Sequence, residues 1–261
     1  MPRFSLCLRV FVSNITSKKR RHLKINILSP HIDDAAFGLA LTISRLANNN
    51  VMVTIINCFT VTKWTAIPVE NKAVSAVSIL RKIEDAAFYK TLNPNIHIIN
   101  LDLLDAPLRN GYIFQQQPFQ QNELKLIEDL KTLLEQHANG LLFCPLAIGN
   151  HIDHAICRAT VLKLYNKLDV LFYEDLPYAQ RITRQQIQLH LKELEEELGV
   201  KFLNNINGLL DCKIDKEQAI RLYKSQMNDE IASEIAAHLK DLKGERIWGE
   251  ESKLEKLQRL L

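Results

Sequence analysis

Short apolar runs recur along the first two-thirds of the chain, each followed by a longer stretch whose apolar positions repeat at helical spacing. The runs Leu23–Leu28, Val51–Phe59, Ile96–Leu101, Gly140–Pro145 and Val170–Tyr173 predict strands. Between them, Asp34–Ala47, Val69–Thr91, Asn122–His137 and His151–Leu168 predict helices. Near-continuously apolar strands are buried on both faces, and strands alternating with helices give a parallel sheet with right-handed crossovers. The expected fold class is α/β: a Rossmann-like three-layer α/β/α arrangement with a mostly parallel sheet. After residue 180 the pattern changes. Arg184–Leu198 reads as a charged amphipathic helix with Glu193, Glu195, Glu196 and Glu197 on a solvated face, and Asp215–Lys243 as one longer helix. They predict a C-terminal helical cap over residues 181–261 on a core of residues 23–180, the two forming one domain.

Residues 1–22 read as an N-terminal extension. Phe4–Val12 is apolar but carries Arg9, and the basic run Lys18–Arg21 follows it. A signal peptide has the opposite order, and the apolar run is too short to cross a bilayer. A loosely attached extension or an added edge strand is expected. Elsewhere no apolar stretch reaches the roughly 18 residues of a membrane helix. The net charge of +3 is too small to argue for nucleic acid. Glycine is scarce at eight residues, and no G-x-G-x-x-G fingerprint marks a dinucleotide site. The five cysteines are scattered without a C-x-x-C pair, as expected of reduced, buried thiols in a cytoplasmic protein.

Two clusters carry the chemistry. Ser29-Pro30-His31-Ile32-Asp33-Asp34 follows the first predicted strand, and His151-Ile152-Asp153-His154 follows the fourth. Either cluster alone reads as a capped helix start, because an aspartate there satisfies free backbone N–H groups. Both fall at carboxyl ends of strands, where open α/β sheets bind ligands. If the two strands are neighbours, the clusters meet. They then offer imidazole nitrogens and carboxylates in the mix of a catalytic zinc site, with a carboxylate left over as base.

These residues resemble the motifs of the PIG-L/LmbE-like N-acetylglucosaminyl deacetylases, Ala/Ser-x-His-x-Asp-Asp and His-x-Asp-His. Three later stretches resemble one bacterial branch of that family. They are Phe172–Tyr178, the scattered set Lys216, Ala219, Tyr223, Ser225 and Gln226, and Glu245-Arg246-Ile247-Trp248. The resemblance spans residues 24–250. It implies a zinc ion on His31, Asp34 and His154, with Fe2+ or another divalent ion as the alternative to Zn2+. Asp33 would be the general base, His151 the acid for the leaving amine, and Asp153 the group that orients His151 or stabilises its charge. Arg81, Asp105 and Arg109 resemble substrate-binding positions, although Arg81 and Glu84 also have the spacing of a surface helix pair. The chain departs from the family in having Ala35 after Asp-Asp, where most members have Glu. It also has Gly149 where some members place a tyrosine that steadies the oxyanion. That task is left to zinc, His151 or another group.

The expected function is zinc-dependent removal of acetyl from an N-acetylated amino sugar or its conjugate. Two loops should shape the pocket: residues 60–69, with Trp64, and residues 105–121, rich in glutamine and aromatics. A metal-retaining, non-catalytic carbohydrate-binding module on the same scaffold is one alternative, and an amidase acting on a non-sugar conjugate is the other. The partner is a small molecule, and assembly into a homo-oligomer is left open.

Overall fold

Seven strands hydrogen-bond into one sheet in the order β3-β2-β1-β4-β5-β7-β6. They are β1 Lys24–Ser29, β2 Met52–Asn57, β3 His97–Asn100, β4 Leu141–Pro145, β5 Asp169–Tyr173, β6 Leu203–Gly208 and β7 Gly244–Gly249. The computed structural model describes residues 24–109, 111–115, 118–208 and 214–261. The extension read from residues 1–22, with its suggested edge strand, lies outside the described residues. β1 to β5 are mutually parallel, while β7 runs antiparallel to β5 and β6 antiparallel to β7. The expected α/β class with a mostly parallel sheet is therefore what the chain adopts.

The helices are α1 Asp34–Asn48, α2 Val74–Leu92, the single turn α3 Ala106–Arg109, α4 Gln121–His137, α5 Ile152–Leu164, α6 Arg184–Leu198, α7 Lys216–Ile220, α8 Asp229–Leu242 and α9 Glu251–Gln258. Side chains such as Ile25, Ile27, Phe143, Leu171 and Phe172 are wholly excluded from solvent. That is why the central strands read as unbroken apolar runs rather than alternating ones. β1 and β4 are neighbours, with Ile25 beside Leu141 and Ile27 beside Phe143. The strand order turns between them, so their carboxyl ends open onto the crevice in which such sheets bind ligands.

Three elements differ from expectation. The helix expected from Val69 begins at Val74, after Asn71 Oδ1 accepts from Ala73 N. The long helix expected over Asp215–Lys243 is two helices. Between them Ser225 donates from N and Oγ to Glu84, at 2.9 and 2.6 Å, and Asn228 caps α8 through Ile231 N. The C-terminal third also supplies β6 and β7, which extend the sheet beside β5.

α1 is bent at Leu39, where φ is −133° and ψ 18°. Beyond the bend, Leu41 N and Thr42 N donate to the Glu245 carboxylate at 2.9 and 2.8 Å, and Thr42 Oγ1 donates at 2.8 Å. Glu245 thus acts as an anionic cap from another element. Lys216 Nζ, wholly buried, balances it at 2.7 Å.

Candidate active site

The turn from β1 into α1 is closed by its own side chains. Ser29 Oγ donates to the His31 carbonyl at 2.5 Å and accepts from Ala35 N at 3.0 Å. Asp34 Oδ2 accepts from His31 N at 2.7 Å, which sets His31 and Asp34 side by side. Asp33 occupies the cap position of α1, yet its side chain makes no capping bond. Its Oδ1 instead accepts from Arg81 Nη2 at 3.0 Å. On the other side of the crevice, His151 caps α5: its Nδ1 accepts from Asp153 N at 3.2 Å.

Three atoms converge from the two clusters. His31 Nδ1 and His154 Nε2 each lie 3.2 Å from Asp34 Oδ2, and the two nitrogens are 3.3 Å apart. Donors about 2.0–2.1 Å from a tetrahedral ion stand about 3.3 Å from one another. The near-equilateral triangle fits a single divalent ion. A set of three imidazoles, with His151 in place of Asp34, has nitrogens spread over as much as 4.8 Å and fits less well.

Each of the two imidazoles spends its other nitrogen on a carboxylate. His154 Nδ1 meets Asp175 Oδ1 at 2.5 Å, and Asp175 Oδ2 is fixed by Ile148 N at 3.0 Å. His31 Nε2 meets Asp153 Oδ2 at 3.0 Å, and that oxygen also accepts from Ala106 N at 3.0 Å. This carboxylate–histidine pairing fixes ring orientation and raises basicity at ligating histidines. The Asp153 carboxylate therefore hydrogen-bonds His31, while its backbone N–H holds His151 and its charge favours the cationic form of that ring.

Charge follows the same geometry. Burial works against charge on His31, but Asp153 and Asp34 outweigh it and push its pKa up to about 9. His154 is raised in the same way by Asp34 and Asp175 against burial. Burial would lift Asp34, yet His154 and His31 hold it well below the carboxylate range. The triangle thus sits in a nest of negative potential that favours positive charge, whether protons or a cation. Asp33 is raised by burial, with Arg81 opposing. Burial and then the charge of His31 and His154 push His151 down to about 3.

Of the expected substrate positions, Arg81 and Asp105 line the same cavity of about 490 Å³ as His31, Asp33, Asp34 and His151. Arg81 is buried and bound to Asp33, so the surface pair with Glu84 does not form. Asp105 accepts a very short bond from Thr62 Oγ1 and another from Leu108 N. The Arg109 guanidinium goes to Asp153 Oδ1 at 2.6 Å and lies 5.0 Å above the Phe59 ring, while its backbone N donates to Asp105 O at 3.0 Å.

Two site residues, Asp175 and Tyr178, lie just past the carboxyl end of β5, in the stretch Phe172–Tyr178 whose sequence resembles the family but assigns neither a role. Tyr178 lines the cavity, meets the His154 ring edge-on at 6.2 Å, and has no hydrogen-bond partner for its hydroxyl among the described residues. Gly149 makes room for it. Its φ is +89°, and a Cβ there would lie 2.7 Å from Tyr178 Cγ, so only glycine suits the position.

Fold and site together define an α/β protein with a His/Asp cluster that could hold a divalent ion at the switch point of its sheet. The chain belongs to the PIG-L family: the family profile, described as GlcNAc-PI de-N-acetylase, matches residues 26–165. It is similar to 2'-N-acetylparomamine deacetylase of Streptomyces fradiae, at 26% identity over 222 residues covering 81% of this chain and 76% of that protein. It shares its fold with the zinc-inhibited form of teicoplanin deacetylase, at TM-score 0.62 and 19% identity over 86% of this chain and 97% of that one. It also shares it with N,N'-diacetylchitobiose deacetylase from Pyrococcus horikoshii, at TM-score 0.54 and 18% identity over 86% and 82%. Its homologues are deacetylases. No helix among the described residues is long and apolar enough to cross a membrane.

Proposed function

We propose that the protein is a zinc-dependent N-deacetylase that hydrolyses the acetamide of an N-acetylated amino sugar or its conjugate. The observation that carries this reading is the 3.2–3.3 Å triangle of His31, Asp34 and His154 with the Asp33 carboxylate beside it. A divalent ion bound there supplies a Lewis acid for the amide carbonyl and lowers the pKa of a bound water.

The chain's own residues do the rest. Arg81 holds Asp33 Oδ1 and leaves Oδ2 to take the water proton, and burial raises the affinity of that carboxylate for it. Because His151 Nδ1 accepts a backbone N–H, its proton sits on Nε2. Held neutral in the resting protein, His151 first donates a hydrogen bond. As negative charge grows on the carbonyl oxygen, the electrostatic cost of its cationic form falls: His151 takes a second proton from solvent on Nδ1, hands the Nε2 proton to the leaving nitrogen, and returns to its neutral form. The Tyr178 hydroxyl donates to that oxygen, the task left open by Gly149. Water adds to the carbonyl carbon, the C–N bond breaks, and acetate and a free amine leave.

The test is acetate release by purified protein from a panel of N-acetylated amino sugars and their conjugates, with chelator and after metal add-back. Release that stops with chelator and returns with zinc is the expected result. Release indifferent to chelator, or none from metal-loaded protein across the panel, overturns the reading.

A further inference from the structure

The cavity has two unlike ends. The inner end holds Asp33, Asp34 and Arg81, all buried, with His31 partly so, whereas the mouth carries Trp64 at 58% exposure and Ile113 at 39%. Large apolar side chains left in water beside a polar site mark a surface meant to be covered. Their backbones are fixed, not adrift. Trp64 N donates to Thr62 Oγ1 at 2.9 Å, and Ile67 N donates to Ser225 O at 3.0 Å. Ile113 O accepts from Ile152 N at 2.8 Å, in the first turn of α5, so the mouth is tied to the catalytic helix. An apolar surface held rigid in advance loses little entropy when it binds.

Two polar groups at the mouth are already engaged. The Arg181 guanidinium is held by Glu234 through two bonds, at 2.9 and 2.7 Å. The Gln226 amide donates to Ser225 Oγ at 3.0 Å and to Trp64 O at 3.4 Å. A hydroxyl brought against the faces of Trp64 and Ile113 would lose water and gain no partner from them, which disfavours a second sugar there.

The geometry points to a substrate that carries an apolar group, alkyl or aryl, on the amine-bearing side of its acetamide, seated against Trp64 and Ile113. This rests on the deacetylase reading. With acetamide at the triangle, the two-carbon acyl group stays at the inner end, and whatever reaches the mouth belongs to the amine side.

Trp64 reports on its own seat. The chain has two tryptophans, and Trp248 is buried with its Nε1 bound to Glu174, so changes in exposed indole emission come from Trp64. Metal-loaded protein is titrated with N-acetylglucosamine and with an alkyl N-acetylglucosaminide kept below its micelle concentration, while emission and acetate release are followed. The expected result is a blue shift with the alkyl glycoside only, and about tenfold higher kcat/KM for it. Trp64→Ala should abolish most of that preference. Equal kcat/KM for the two sugars, or a preference that survives Trp64→Ala, overturns the apolar seat while leaving the deacetylase reading intact. A blue shift without acetate release from either sugar overturns the deacetylase reading and leaves the seat standing.

Discussion

Asp33 is the residue on which the hydrolytic reading turns. Its side chain forms no capping bond, it is buried, and Arg81 holds its Oδ1. Asp33→Asn keeps the shape and removes the base, so metal content should hold while kcat falls by about 10²–10⁴. A near-normal rate in metal-loaded variant would exclude the role. Tyr178→Phe removes one hydroxyl from the cavity wall and should lower kcat by about 10²–10³ with KM and metal content little changed. A proportional change in KM with kcat intact would instead make Tyr178 a ground-state binding group. Asp175 acts through His154, and Asp175→Asn should weaken metal affinity about 10–100-fold. Equilibrium titration against a chromophoric chelator measures it, and unchanged affinity would sink the assignment. Both motifs were legible as one cluster because they sit at strand ends, whereas the choice of His31, Asp34 and His154 as ligands came from the family resemblance. The role of Asp175, inside the noted stretch Phe172–Tyr178, stayed hidden because one carboxylate after a strand is commonplace and its histidine partner is 21 residues away.

At the scale of elements, the parallel half of the sheet was legible and the antiparallel half was not. β1, β2, β4 and β5 are buried runs whose composition declares them. β7 is equally buried but contains Glu245 and Arg246, which read as surface residues in a string of letters. Both are matched inside the fold, Glu245 by Lys216 at 2.7 Å and Arg246 by Glu174 at 3.0 Å. β6 carries the polar stretch Asn204-Asn205 and lies at the sheet edge, where apolar alternation is not required. The break between α7 and α8 was invisible for a related reason, since Glu84 reaches it from 141 residues away. Glu245 links several of these elements, because it also caps the bent α1. Glu245→Ala would strand the Lys216 ammonium in the interior and remove the carboxylate that accepts from Leu41 N and Thr42 N. It should cost about 3–5 kcal/mol of stability, read as a lower midpoint in urea with an unchanged slope. A loss within the range of an ordinary surface substitution would show that the cap contributes little.

For the whole molecule, the triangle joins segments 123 residues apart, the turn after β1 and the first turn of α5. An ion there cross-links the two halves of the parallel sheet at the switch point, so binding is also a contribution to folding. The unfolded chain cannot present His31, Asp34 and His154 within 3.3 Å of one another, and affinity for the native state alone raises stability. With free ion about 100-fold above its dissociation constant, the gain is about 2.7 kcal/mol. Chelated protein should therefore melt several degrees below the zinc-loaded form in a calorimetric scan. His154→Ala should erase the difference, whereas His137→Ala, an exposed histidine at the end of α4, should keep it. Protons compete for the imidazoles that the carboxylate nest makes basic, so the metal-dependent part of the melting temperature should shrink as pH falls. Identical melting with and without chelator, in protein shown to bind one ion per chain, would mean that the site is preformed in the unfolded ensemble or lies elsewhere, and either outcome would overturn the ligand set.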